Sequence, residues 1–105
     1  MSNPWLLVAL AGVLETVWAL GLKYSDGFTR LWPSVLTAVA VAGSFLLLSS
    51  AMRSLPVGTA YAVWVGIGAV GTAVAAVFLF HEPVSVMRVA GIGLIVAGIV
   101  ALKLA

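Results

Sequence analysis

The sequence predicts an all-α integral membrane protein with four transmembrane helices, and three observations predict it. Of the 105 residues, 64% are hydrophobic and only 8% are Asp, Glu, Lys or Arg. A soluble domain needs about 25% charged residues to cover its surface, so the solvent of this chain is largely lipid. Four apolar runs each come close to the ~20 residues that cross a bilayer, and with their loops they occupy nearly all of 1–105 as a single transmembrane domain. All four prolines (Pro4, Pro33, Pro56, Pro83) fall at or near the starts of these runs or between them, where a missing N–H costs little.

The first helix is expected from about Trp5 to Leu22. The stretch Met1-Ser2-Asn3-Pro4 lacks the basic n-region of a cleaved signal peptide, so this run is expected to be kept as a span. Ser25-Asp26-Gly27 is a turn signal. The second helix is expected from about Pro33 to Met52, the third from about Val57 to Phe80, and the fourth from about Val86 to Leu102. Trp5 and Trp32 sit at the expected membrane edges, where amphipathic rings concentrate. The connections are short, which makes neighbouring helices antiparallel.

Charge says little about orientation, and that is itself informative. The face holding the N-terminus and the second connection carries Arg53 and Lys103; the other carries Lys23, Arg30 and Arg88. Topology follows a Lys/Arg bias between faces, and the α-amine evens even this small difference. The chain is therefore expected to insert both ways, the competing reading being that a weak bias still selects one orientation. The basic residues form no patch, so nucleic acid is not an expected partner. With no cysteine and one histidine, no metal site is expected, and no cofactor.

Glu15 is the one charged residue placed inside an apolar run. It lies roughly 15 Å from one end of the first helix and about 10 Å from the other, at 1.5 Å per residue. A charge at that depth costs at least ~2.5 kcal/mol and calls for a partner or a watered cavity. No Lys, Arg or His shares its level. The bland reading is a neutral Glu in one interhelical hydrogen bond. The functional reading is a carboxyl that holds a proton or a cation in turn, because desolvation opposes its permanent ionisation. Gly12, Glu15 and Trp18 share a face of the first helix, and Tyr61, Trp64 and Gly68 share a face of the third. Ser44 lies ~16 Å into the second helix, near the same level. Such a set offers aromatic faces for a planar cation and N–H and O–H groups to orient a carboxylate. Interfacial anchoring of Tyr61 and back-bonding of Ser44 to its own helix compete with this reading.

Gly66, Gly68 and Gly71 give the third helix either a bend or close packing through small residues. Gly91 and Gly98, with Ile95 on the same side, give the otherwise apolar fourth helix a packing face. An enzyme is not expected, since no nucleophile–base pair or metal constellation is visible.

These features resemble the small multidrug resistance family of bacterial exporters, in length, in four helices and in the Glu of the first helix. The segments KYSDGFTRLWPS (Lys23 to Ser34) and LPVGTAYAVWVGIGAVG (Leu55 to Gly71) are similar to that family's signatures. Trp18, the second segment and the late Lys103 resemble the guanidinium-exporting subtype rather than the one exporting quaternary ammonium compounds. The resemblance implies an antiparallel, dual-topology homodimer in the bacterial inner (plasma) membrane, with the fourth helix, and so Gly91 and Gly98, at the dimer contact. It implies that protons and guanidinium compete for Glu15, that Gly12, Trp18, Ser44, Tyr61 and Trp64 support it, and that Gly66 and Gly68 supply a kink. The expected function is thus proton-coupled antiport of guanidinium. The alternatives are a polyspecific quaternary ammonium exporter, a non-transporting membrane assembly subunit, and a passive cation channel.

Overall fold

The computed structural model describes residues 3–105. Among these residues there are four helices: α1 (Pro4–Tyr24), α2 (Leu31–Ala51), α3 (Val57–Leu79) and α4 (Val86–Leu104). At the start of α1 the Asn3 side chain accepts from the Trp5 N–H at 2.9 Å, and Pro4 occupies the first turn. Ser85 does the same for α4, accepting from the Arg88 N–H at 3.1 Å. Pro56 sits just ahead of α3. The second helix starts at Leu31 rather than at Pro33, because a proline within the first turn lacks only an amide that has no intrahelical acceptor. The first helix likewise runs on through Lys23 and Tyr24.

All four helices have the length and apolarity of membrane spans. Helices of this length extend about 30 Å, the thickness of a hydrocarbon core. Between α1 and α2 the backbone takes positive φ at Asp26, Gly27 and Phe28. Ser25, fully buried, pins this turn: its hydroxyl donates to the Leu22 carbonyl at 2.8 Å and accepts from the Phe28 N–H at 3.2 Å.

The helix α1 is central. It packs along both α2 and α3, whereas α2 and α3 approach each other little and the backbone of α4 lies against α3 alone. The core is where α1, α2 and α3 converge, around Val8, Ala11, Leu48, Ala51, Ala60, Val63 and Trp64. Small residues let these helices close up. A Cβ on Gly12 would stand 2.5 Å from Cγ2 of Ile67, one on Gly21 would overlap the Thr37 hydroxyl, and one on Gly71 the Thr16 hydroxyl. The molecule is a slab of 39 × 35 × 18 Å, and no residue of α4 is buried. Exposed Leu, Val and Phe side chains cover its faces, as lipid contact requires.

Candidate functional site

Glu15 lies eleven residues past Pro4 and nine before Tyr24 within α1, about 17 Å and 14 Å from the two ends. Its side chain lies against α3 at Gly68, where an added Cβ would overlap the carboxyl group. Only glycine leaves this room. One carboxyl oxygen, Oε1, is buried without a hydrogen-bond partner, and so is the indole Nε1 of Trp18. An acceptor and a donor are thus left unmatched three residues apart on one helix, a spacing that makes side chains neighbours. A cavity of about 400 Å³ opens beside Glu15, bordered by Gly68, Ala69, Thr72, Ala76 and, beyond the end of α3, Glu82.

Ser44 and Trp64 form a separate arrangement. Trp64 Nε1 donates to Ser44 Oγ at 2.9 Å, and Ser44 in turn donates to the Ala11 carbonyl at 2.7 Å. Both residues are buried. In an α-helix that same carbonyl accepts the N–H of residue 15. Ser44 therefore ties α2 to the turn of α1 that carries Glu15. The polar atoms of Ser44 and Trp64 bond each other and the α1 backbone, so in this structure they reach Glu15 only through the helix turn that carries it. The Tyr61 ring packs at a tilt 5.5 Å from Trp64 and stays half exposed, with Phe45 edge-on to Trp64 at 5.8 Å. These three rings belong to a second cavity of about 340 Å³ shared with Met52.

Gly12 is a close-packing point against Ile67. Gly66 and Gly68, two residues apart and so on nearly opposite sides of a helix, serve different neighbours: Gly68 admits Glu15, while Gly66 receives Ile95 and Ile99 of α4. The helix continues unbroken through both, from Val57 to Leu79. Gly91 and Gly98 have open space around them.

Two further residues border the acid or its cavity. The Thr16 hydroxyl lies 3.3 Å from the Gly12 carbonyl and 3.5 Å from that of Gly68, bridging α1 and α3 beside the acid; its signal was a polar residue in an apolar run, four after Gly12. Glu82 had no signal, because only the fold brings a loop carboxylate to the Glu15 cavity.

Comparison with known proteins adds the following. The family described as Small Multidrug Resistance protein matches residues 3–95. A guanidinium exporter of Yersinia pestis is 58% identical over 101 residues, covering 96% of this chain and 97% of its own length. The guanidinium exporters of Salmonella typhimurium and Escherichia coli (strain K12) are 58% and 57% identical over 100 residues, covering 95% of each chain.

Proposed function

The chain belongs to the small multidrug resistance family, and from that membership we propose that it exports guanidinium in exchange for protons, the two competing for Glu15. It would do so as an antiparallel, dual-topology homodimer in a bacterial inner membrane. The observation that carries this reading is the Glu15 carboxyl itself: set midway along a membrane span, with an unpartnered oxygen and a cavity at its side. The relatives it matches are named as exporters of guanidinium, and they are transporters rather than enzymes.

The chemistry follows from the ligand. A carboxylate accepts two parallel N–H bonds from the planar guanidinium fork. A protonated carboxyl carries no charge and one of its acceptor oxygens has become a donor. Proton and cation therefore exclude each other at this group, and that exclusion is the coupling. The Trp18 indole N–H, a donor only, suits the ionised acid. Ser44 and Trp64 hold the helix turn beneath the acid, so they act as positioning residues. The assembly as a homodimer is supported by α4, none of whose residues is fully buried, with Gly91 and Gly98 open, and dual topology by the balanced charge of the two faces.

The test is guanidinium flux into proteoliposomes under an imposed pH gradient. The wild type should couple cation and proton movement, and Glu15→Gln should abolish both. Proton-driven guanidinium uptake by Glu15→Gln would overturn the mechanism. Cation flux through the wild type with no proton counterflow would do so in favour of a channel.

A further inference from the structure

The cavity beside Glu15 is bordered at its other end by a second carboxylate, Glu82, and this residue already holds a guanidinium group. Arg88 Nη1 approaches Glu82 Oε1 at 3.4 Å, the one ion pair among the described residues. Glu82 reaches this position because the chain folds back at the end of α3. Phe80 N–H and Glu82 N–H both donate to the Ala76 carbonyl, at 2.9 and 3.4 Å, and His81 between them takes a positive φ of 56°. From Gly68, where Glu15 docks, to Ala76 is eight residues of helix, about 12 Å. The two acids thus stand roughly two helix turns apart along one cavity.

Arg88 is not where helix stability would put it. It occupies the first turn of α4, the end of a helix dipole that favours anions and disfavours cations. Its contact with Glu82 is single and long, and the two side chains are 53% and 46% exposed. Such a pair is weak and open to exchange. Lys23, the other cation nearby, is turned to the Phe80 ring at 5.8 Å.

We propose that Glu82 is the outer cation-recruiting carboxylate of the cavity that ends at Glu15, and that the Arg88 side chain is the internal guanidinium which an incoming guanidinium displaces. The proposal rests on the reading of Glu15 as the transport site. Glu82 gathers the cation at the mouth, Arg88 swings clear, and the cation passes on to the deeper acid. Arg88 then re-pairs with Glu82, so the mouth is neutral again between arrivals.

The experiment measures kcat/KM for guanidinium in proteoliposomes across a range of ionic strength, with Glu82→Gln, Glu82→Asp, Arg88→Gln and Glu15→Gln. Glu82→Gln should lower kcat/KM about three- to fivefold at low salt, the scale of an exposed charge pair, and flatten its salt dependence. Glu82→Asp should restore most of both. Arg88→Gln, by removing the internal competitor, should raise kcat/KM by a similar factor. A pair that only braces the loop would make both single variants worse and leave the salt slope alone, and that result overturns the proposal. So does a Glu82→Gln protein that matches the wild type at every salt concentration while Glu15→Gln is inactive. Retained proton-driven flux in Glu15→Gln would instead strike the underlying site, whatever Glu82 does, and the proposal would fall with it.

Discussion

Gly68→Ala is the sharpest probe of how the site is built. A Cβ at residue 68 would stand 2.6 Å from Cγ of Glu15 and closer still to the carboxyl. Carbon atoms rest about 3.5–4.0 Å apart, so something must move by about 1 Å. The Glu15 side chain is the movable party, being unbranched and ending in the cavity, whereas the backbones of α1 and α3 are locked together by Gly12 on Ile67 and Gly71 on Thr16. Swinging a side chain off its preferred rotamer costs about 0.5–1.5 kcal/mol. If that strain falls on the cation-bound geometry, guanidinium affinity drops roughly two- to twelvefold, at 1.36 kcal/mol per decade. The assay is calorimetric titration of guanidinium into detergent-solubilised protein, with thermal unfolding alongside. A double-mutant cycle supplies the control: in a Glu15→Ala background the clash is gone, so Gly68→Ala should leave unfolding unchanged there. Unaltered affinity in Gly68→Ala, or equal destabilisation in both backgrounds, would show that the close approach of Gly68 does not govern the acid.

Four further outcomes are expected. Guanidinium affinity should rise with pH, since the cation needs the carboxylate and a proton blocks it; competition with one proton gives about tenfold per pH unit until the acid is fully ionised, and a flat titration curve would refute competition at Glu15. Ser44→Ala should destabilise the protein by about 1–3 kcal/mol, because the buried Trp64 N–H loses its acceptor, and adding Trp64→Phe should recover part of that in thermal unfolding. Gly71→Ala should destabilise by about 1–3 kcal/mol without a specific effect on binding, since its Cβ would strike Thr16, a stiff β-branched residue that cannot step aside. A Cβ at Gly91 meets no atom within 4 Å in its own chain, so for Gly91→Leu a change in oligomeric mass by light scattering would place that face at a contact between copies, and an unchanged mass would remove it.

The spans and the depth of Glu15 were legible because lipid leaves little choice. Apolar runs of fixed length must be helices, and a charge among them stands out. Helix ends were less legible: Pro33 read as a start, although a proline fits anywhere in a first turn, so the two residues ahead of it went uncounted. What the sequence could not carry was rotation about each helix axis. Helix rise sets Ser44 near the level of Glu15, but whether it and Trp64 face the acid or the helix behind it depends on how α2 and α3 turn against α1. Gly66 and Gly68 read as one motif because only Ile67 separates them, yet residues two apart on a helix point about 200° apart, and the two serve different neighbours. Glu82 and Arg88 read as membrane-edge charges because no local pattern shows a loop folding back over the helix it follows.

The 18 Å thickness of the slab has a consequence for selectivity. A plank only about two helices deep cannot wrap an ion on every side, so whatever screens the guest from hydrocarbon must come partly from outside this chain. Should that screen be an identical molecule, each amino-acid change is felt twice by one guest. Its free-energy effects then add, its effects on affinity multiply, and a substitution worth a factor of five in one half shifts the whole by about twenty-five.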